Sequence, residues 1–506
     1  MFYSKQTVSA LLLTCAILCG CSQSDDAIVD TTTPPSVEQQ EEASIVFRFQ
    51  TNTSNSLNTR AAGESTAEDS YEHIQGTPDE YKVESARVYL FDAPTKLFVK
   101  SIQLNKLTRV GSDTQGNIVY ETEHVRAPSG TYDIFVTANT DRVINKKTED
   151  EFLADIDSLT YAKGLIDDIS KGIVMTNRAN ENLSTVIEDK EGREDNVVVI
   201  SLERVLARID VAKSNETYKL TDKAGNVYAT ATLDKYYIVN LPRYYYSFRH
   251  TTVLNSMDIP DWKVGEHFGM VNDVNGYVID PYFFDKTIDA THFTNADKYY
   301  VHYFGDYSKN TVNWTEFKPA GSEQANYNTI YSVENCMLWQ AQKNGYSTGV
   351  IFSAKFEPYS VYRLAANGEL EQIIDKSQYP ETLYYYNYGF YDSVDALKKA
   401  IGTDNMTAIS MEVYQVRQFE KGDDGYRCYY NYWIRHLDNY KPTVMGVMEF
   451  GIVRNNLYRL RITNVADLGQ PDLHIDPDTP DEGEALIKVI LNVKPWIVRD
   501  LTDIVL

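Results

Sequence analysis

The chain has 506 residues, 43% of them hydrophobic, which is enough to bury the cores of two or three domains. Its 72 acidic and 48 basic residues give a net charge of -24, which argues against nucleic acids and anionic membrane surfaces as partners because both repel a polyanion. The 38 tyrosines, together with Val, Ile and Thr in short runs, favour strands over helices.

The first twenty residues have the pattern of an export signal. Lys5 is followed by the apolar stretch "VSALLLTCAILCG", which is too short to anchor a chain across a bilayer. The sequence Leu18-Cys19-Gly20-Cys21 resembles the lipobox of bacterial lipoproteins, in which a signal peptidase cuts before a cysteine that then carries lipid. We therefore predict lipidation at Cys21, with an ordinary signal peptide as the alternative, and a flexible polar tether after it.

A cleavable loop follows the first predicted strand. "SIVFRFQTNT" alternates in the manner of a strand, and "SLNTRAAGES" begins two residues after it. An arginine followed by Ala-Ala-Gly in a polar loop is a good protease substrate. The sequence thus places a cutting site, Arg60, behind a strand that should hold a domain together.

Residues 43 to about 200 read as one antiparallel β domain. Alternating runs such as "ESARVYLFD" and "SGTYDIFVTAN" predict its strands, and "TEDEFLADIDSL" has helical spacing. Strand patterning restarts at "VVVISLERVLARIDVAK", and the domain boundary is predicted near the beginning of this run. In the second domain, turn signals every 8 to 12 residues indicate a β-sandwich. A short helix is predicted at "DSVDALKKAIG", with Asp392 or Ser393 as its N-cap and Gly402 as its end.

The C-terminus is a long apolar strand behind an acidic, proline-containing linker. In "ALIKVILNVKPW", Ile487, Val489, Leu491 and Val493 fall on one face. The linker "QPDLHIDPDTPDEGE" separates this strand from its domain, so the strand need not fold back on that domain. Left bare, such a strand would be an aggregation hazard.

No catalytic or metal-binding constellation stands out. "GYSTG" matches the Gly-x-Ser-x-Gly pattern, but a strand follows it, so Ser347 is interpreted as a turn residue rather than a nucleophile. His436 is interpreted as a packed or turn histidine. Prolines interrupt the acidic linker, which does not fit a calcium loop. The tyrosine runs "RYYYSF" and "LYYYNYGFY" are ascribed to strands, with sugar stacking as the alternative. We predict no enzyme, cofactor or metal.

Two cysteines, Cys336 and Cys428, lie outside the signal region. Export implies an oxidising compartment, in which they can pair. Two buried free thiols are the alternative, because sequence alone does not give their separation.

The block "CYYNYWIRHLDN", followed by "VMGVMEFGIVRNNLYRLRITNVADLGQP", resembles the fimbrillin family of the Bacteroidia, the type V pilins. Within that family the likeness is to the shaft subunit of the minor fimbrium. "SARVYLFD", "SGTYDIFVTAN" and "LERVLARIDV" match more loosely, and residues 245–330 carry least of the resemblance.

The resemblance implies an all-β chain of two transthyretin-like Greek-key β-sandwich domains with a few short helices. It implies a lipidated precursor at the cell outer membrane, cut between Arg60 and Ala61 by an arginine-specific protease. Removal of the first strand, within Ala43–Thr53, then opens a groove for the C-terminal strand of another subunit. In chain order, the resemblance implies a signal peptide at 1–20, a propeptide at 21–60, a first sandwich at 61–198, a second sandwich at 199–475, and a linker with the donor strand at 476–506.

The implied partners are identical subunits, the protease, accessory tip and anchor pilins, and receptors on host or bacterial surfaces. The implied role is a fimbrial shaft subunit that supports adhesion and biofilm formation. A tip or anchor component of the same fimbrium and a surface glycan-binding lipoprotein are the alternatives. An anchor would lack a cleavable loop, and a tip would not need a free donor strand.

Overall fold

Two β-sandwiches follow one another along the chain and are built almost entirely from strands. The computed structural model describes residues 42–51, 77–113, 117–158, 169–189, 196–251, 278–281, 300–301, 314–321, 326–336, 344–436, 449–473 and 487–495. The prediction of an all-β chain with two sandwiches and a few short helices is confirmed.

The first sandwich is a curled ten-stranded sheet. Its strands are β1 (Glu42–Thr51), β2 (Ala86–Asp92), β3 (Phe98–Leu104), β4 (Leu107–Ser112), β5 (Ile118–Thr122), β6 (Val125–Pro128), β7 (Gly130–Ala138), β9 (Met175–Thr176), β10 (Thr185–Ile187) and β11 (Asn196–Arg204). The main order is β3-β2-β7-β9-β11-β1-β5-β4, with β10 on β7 and β6 on β1. Strand β1 therefore lies inside the sheet, between β11 and β5, and is not an edge strand.

Where the structure describes this half of the chain, it also contains two short helices and one further strand: α1 (Pro78–Tyr81), α2 (Glu149–Leu153) and β8 (Ile156–Ser158). The helix α2 lies in the segment for which helical spacing was predicted. Its Phe152 packs with Phe91, Phe135 and Phe248, whose ring centroids lie 5.0, 5.6 and 5.0 Å away. This aromatic cluster lies beside the main core.

The second sandwich has two principal sheets. The smaller one has the order β21-β12-β29-β30, formed by β21 (Asn328–Ser332), β12 (Ala207–Lys213), β29 (Asn456–Val465) and β30 (Ile487–Pro495). The larger has the order β13-β14-β22-β28-β27-β25-β26-β23-β24, with β20 on β14. Its strands are β13 (Tyr218–Thr221), β14 (Val227–Val239), β20 (Thr315–Glu316), β22 (Gly349–Pro358), β23 (Val361–Leu364), β24 (Leu370–Ile373), β25 (Thr382–Tyr386), β26 (Gly389–Tyr391), β27 (Arg417–Gly422) and β28 (Gly425–Trp433).

Short two-stranded ladders complete the described strands. They are formed by β15 (Leu241–Pro242) with β19 (Tyr300–Val301), β16 (Tyr244–Tyr246) with β8, and β17 (His250–Thr251) with β18 (Val278–Ile279). The described helices of this half are α3 (Val394–Ile401) and α4 (Ala408–Val413), with a 3-10 turn at Lys376–Gln378.

The helix α3 ends where its sequence predicts. The Ser393 hydroxyl accepts the Ala396 N–H at 3.2 Å and caps the first turn. Gly402 takes a left-handed conformation with φ 79°, and its N–H donates to the Lys398 carbonyl at 2.8 Å. The predicted helix and its caps are confirmed.

A parallel pair of strands that are distant in sequence occurs in each sandwich. In the first, the first strand β1 runs parallel to the last strand β11, and in the second, the first strand β12 runs parallel to β29, which precedes β30. The chain leaves the first sheet at Arg204 and enters the second at Ala207, so β11 continues past the predicted boundary between residues 198 and 199.

Candidate functional site

The first strand, β1, has neighbours on both of its edges. Its pairings are Ile45–Thr51 with Asn196–Leu202 in parallel, Arg48–Thr51 with Glu121–Ile118 antiparallel, and Glu42–Ile45 with Pro128–Val125 antiparallel. Its removal would therefore separate β11 from β5 and β6 and expose backbone N–H and C=O groups along both sides of the gap.

One face of β1 is part of the core of the first sandwich. Ala43, Ile45, Phe47 and Phe49 are fully buried. The rings of Phe47 and Phe49 lie nearly parallel, with centroids 6.3 Å apart. They pack in one cluster with the aliphatic side chains of β2, β7 and β11. The alternation in the sequence thus corresponds to a strand that fills the groove between its neighbours.

Polar contacts fix the register of β1. The Phe47 N–H donates to the Thr122 hydroxyl at 3.0 Å, and Arg48 Nε donates to Glu121 Oε2 at 2.6 Å on the outer face. Asn196 Nδ2 donates to the Ser44 carbonyl at 2.9 Å. A shift of β1 by one residue along its neighbours would turn its buried face outward. The polar contacts and the packing of the core therefore favour the same register.

The C-terminal strand β30 lies antiparallel to β29 of its own chain. The register places Val489 opposite Ile462, Leu491 opposite Leu460, and Val493 opposite Tyr458. Those three β29 side chains are fully buried in the second core. Val489, Leu491 and Val493, which were predicted to share one apolar face, therefore pair with β29 residues whose side chains belong to the core.

The edge position of β30 differs from the position of β1. It is the last strand of its sheet, and within the described residues only β29 pairs with it. The sequence suggested that this strand need not fold back on its own domain, whereas the structure pairs it with that domain. The physical reason is that β29 offers a free ladder edge, which satisfies backbone groups that an isolated strand would leave unpaired.

Other predicted sites lie outside the described residues. These are the lipidation site Cys21, the cleavage site Arg60–Ala61 and the acidic linker at 476–484. They remain predictions.

The segment after the cleavage site contains a buried anchor that the sequence analysis missed. Glu80, in α1, has its carboxylate oxygens 2.9 and 3.0 Å from Arg208 Nη1, and Tyr331 donates to it at 2.6 Å. Arg204 Nε donates to the Glu80 carbonyl at 2.7 Å. The sequence "PDEY" gave no signal for these contacts, because the partners of Glu80 lie more than a hundred residues away in sequence.

The two body cysteines are both buried free thiols. Cys336 Sγ lies 3.0 Å from the Ile452 carbonyl, and Cys428 Sγ lies 3.5 Å from the Tyr430 hydroxyl. Burial raises the pKa of the Cys428 thiol to about 11, which keeps it protonated and unreactive. Of the two arrangements left open by the sequence, the disulfide and the free thiols, the structure has the free thiols.

The candidates for chemistry have structural roles. Ser347 is buried in a turn that leads into β22, so the strand-turn-helix of a nucleophile elbow is not formed. His436 is buried, with Nδ1 2.7 Å from the Tyr458 hydroxyl. In the tyrosine runs, Tyr245 and Tyr385 are buried and hydrogen-bond to carboxylates, while Tyr244 is exposed. These positions favour packing over sugar stacking.

The described residues contain no group of three or more His, Cys, Asp or Glu side chains arranged to hold a metal ion. They also contain no helix that is long and apolar enough to cross a membrane.

Two family models match the chain. The model for "Major fimbrial subunit protein (FimA)" matches residues 43–226, and the model for "Major fimbrial subunit protein type IV, Fimbrillin, C-terminal" matches residues 419–502. Together they cover more than half of the sequence. The first match begins within β1, and the second extends past the end of β30.

Solved structures that match the chain include two proteins of Porphyromonas gingivalis. A fimbrilin (FimA) from strain W83 is 15% identical, with 90% of this chain and 98% of that chain covered and a TM-score of 0.42. The tip fimbrial protein Mfa3, with a C-terminal truncation, is 13% identical, with 90% and 100% covered and a TM-score of 0.37. No curated protein matches the chain.

Proposed function

Because the chain belongs to the type V fimbrillin family of the Bacteroidia and is a structural subunit of a surface fimbrium, we propose that it forms the fimbrial shaft. In this proposal the precursor is exported as a lipoprotein through Cys21 and reaches the outer membrane. An arginine-specific protease then cuts after Arg60, β1 leaves, and β30 of another copy takes its place. The fibre, with accessory tip and anchor pilins, supports adhesion to host or bacterial surfaces and biofilm formation.

The observation that carries the proposal is the position of β1 between β11 and β5. Three of its side chains, Ile45, Phe47 and Phe49, are fully buried, which corresponds to roughly 5–9 kcal/mol of burial at about 1.5–3 kcal/mol each. An occupied groove keeps the precursor closed to other strands. An empty groove of this depth needs another apolar strand, and strand addition is an established way to fill it.

The strand β30 matches this requirement in length and pattern. It has nine residues against ten in β1, and in the sequence its residues 487, 489, 491 and 493 alternate with Lys488, Ile490, Asn492 and Lys494. In its own chain it has one strand neighbour among the described residues. Transfer to the groove would give β30 a strand neighbour on each edge. The exchange would therefore add a second set of backbone hydrogen bonds and bury the apolar face of the strand.

Interchain cross-linking tests the proposal. Ile200 on β11 is fully buried and pairs with Phe49 in the parallel ladder, so it lines the groove that β1 fills. A double variant, Ile200→Cys with Leu491→Cys, is expected to cross-link assembled subunits and give a ladder on a non-reducing gel.

A matched control is Ile200→Cys with Asn492→Cys, whose C-terminal cysteine falls on the opposite face of the donor strand. It should give little or no ladder. A cross-link confined to single chains, or an equal ladder from the control, would contradict strand exchange through this groove.

A further inference from the structure

Three ionisable side chains meet at one edge of the first sandwich. Lys96 lies in the turn between β2 and β3, Asp133 lies in β7, and Glu149 begins α2. The Lys96 ammonium contacts Asp133 Oδ2, and its Nζ lies 3.4 Å from Glu149 Oε2. The Asp133 side chain is fully buried and that of Glu149 is 11% exposed, while Lys96 is half-exposed.

Backbone contacts hold this trio together independently of its charges. Lys96 has a left-handed φ of 59°, and its N–H donates to the Asp92 carbonyl at 2.7 Å. The Glu149 N–H donates to the Lys96 carbonyl at 2.9 Å. Asp133 pairs with Phe91 in the ladder between β7 and β2. The amine and both carboxylates are therefore brought together by the fold itself, which is the condition for an efficient intramolecular reaction.

We propose that Lys96 and Asp133 join in an intramolecular amide bond, with Glu149 as the group that transfers protons between them. This inference does not depend on the proposed function. The bond would link the turn after β2 to the middle of β7, both of which remain when β1 is removed.

The reaction balances without a further reactant. The Lys96 ammonium and the Asp133 carboxylate first become a neutral amine and a carboxylic acid. The lone pair on Nζ attacks Cγ of Asp133, the C–N bond forms, and the C–Oδ2 bond breaks. Two of the three ammonium protons end on the departing oxygen, which leaves as water, and Glu149 returns to its starting state. No electron donor or acceptor is consumed.

The resting protonation of the site defines the proton transfers that the reaction requires. Burial and the neighbouring Asp133 raise the pKa of Glu149 to about 7, so much of it carries a proton at neutral pH and can give and take one. The hydrogen bond to Asp133 raises the pKa of Lys96, so the amine starts out charged. Burial opposes the charge on Asp133, but the hydrogen bonds from Lys96 and from the Ser184 N–H lower its pKa, so the carboxyl group also starts out charged and must gain a proton. A proton must therefore leave Nζ before attack, and an acid–base group beside Nζ meets that need.

The surroundings of Asp133 fit an acyl acceptor better than a simple ion pair. The Ser184 N–H donates to Asp133 Oδ1 at 2.7 Å, where negative charge would develop during attack. Asp133 alone would satisfy the Lys96 charge. A second buried carboxyl group beside it is costly, and Glu149 Oε2 has no hydrogen bond of good geometry among the described residues.

Peptide mass spectrometry of the full-length chain tests the proposal. Trypsin cuts after arginine and lysine, so the linked protein is expected to yield residues 88–100 joined to residues 127–142. The mass of this branched peptide should be the sum of the two peptides less one water. Trypsin should not cut after Lys96, and fragmentation should locate the bond at Lys96 and Asp133.

Three variants provide the comparison. Lys96→Arg retains the positive charge but should release residues 127–142 as a free peptide, and Asp133→Ala should do the same. Glu149→Gln should greatly reduce the branched peptide in a chain that still melts cooperatively.

A wild-type digest that contains free residues 127–142 and a cut after Lys96 would overturn the proposal, and this result does not depend on any variant folding. Full linkage in Glu149→Gln would overturn the role assigned to Glu149.

Discussion

Arg208 Nη1 lies 2.9 and 3.0 Å from the two carboxylate oxygens of Glu80, and both side chains are buried. Glu80 is in the first described helix after the predicted cleavage loop, and Arg208 is in the first strand of the second sandwich. The contact therefore joins the segment that follows the predicted cleavage site to the second sandwich without using β1. Proteolysis after Arg60 would leave this tie in place.

Loss of that tie should destabilise the chain. Glu80→Ala removes the partner of Arg208 and of the Tyr331 hydroxyl in a buried setting, and we expect the free energy of unfolding to fall by about 3 kcal/mol. Chemical denaturation measures the change. Asp79→Ala, next to it and only partly buried, is the control and should change stability by less than about 0.5 kcal/mol. Equal effects of the two substitutions would contradict the role of Glu80.

Cleavage should depend on Arg60. Arg60→Ala is expected to leave a lipidated, monomeric precursor that retains β1 and does not polymerise, because β1 still occupies the groove. N-terminal sequencing of surface material should find Ala61 in the wild type. Thr59→Ala keeps the arginine and should mature normally. Fibres of normal length from Arg60→Ala, or a wild-type N-terminus at another residue, would be incompatible with this maturation step.

A core substitution in β1 should affect the precursor alone. Phe47 is fully buried, so Phe47→Ala should lower the free energy of unfolding of the uncut chain by about 3–5 kcal/mol. Assembled fibres should keep wild-type thermal stability, since β1 is absent from them. Gln50→Ala, on the opposite face, should alter neither form by more than about 0.5 kcal/mol. Fibres destabilised by Phe47→Ala would show that β1 remains in the assembled subunit.

A charge in the donor strand should stop assembly. Leu491→Asp would bring an unpaired carboxylate into an apolar groove at a cost of several kcal/mol, so we expect no fibres by electron microscopy. Truncation after Asp476 should have the same effect and should cap fibres of a wild-type strain, because the truncated chain still accepts a strand. Asn492→Asp, one position along, is the control. Full-length fibres from either the Leu491 variant or the truncate would rule out this strand as the donor.

The buried Glu149 gives stability a pH dependence with a definite sign. Its folded-state pKa is raised to about 7 from the usual 4.5, so the stability associated with the protonated form is present at low pH and is lost as pH rises through about 7. Glu149→Gln cannot ionise. Measured by denaturant unfolding in a Lys96→Arg background, which keeps the positive charge and cannot form the amide bond, its stability relative to the Glu149 parent should therefore rise by about 1–2 kcal/mol from pH 5 to pH 8. Glu151→Gln, which is exposed, should show no such trend.

Local patterns predicted much of the fold. The caps of α3 at Ser393 and Gly402 could be predicted from the sequence because both act within one helical turn. The buried face of β1 could be predicted because apolar and polar residues alternate along a strand that has one buried face. The contacts of Glu80, the trio around Lys96 and the pairing of β30 with β29 were not predicted. Each depends on which distant segments become neighbours, and a single sequence gives no periodic signal for that.

The parallel pairing of β12 with β29 has a mechanical consequence for a fibre subunit. Six residue pairs, from Arg208–Leu457 to Lys213–Ile462, join these strands. Tension along the chain would enter at the start of β12 and leave at the end of β29, which are opposite ends of the parallel pair. The ladder would then be loaded in shear, with its hydrogen bonds sharing the force, instead of being opened one bond at a time from a single end.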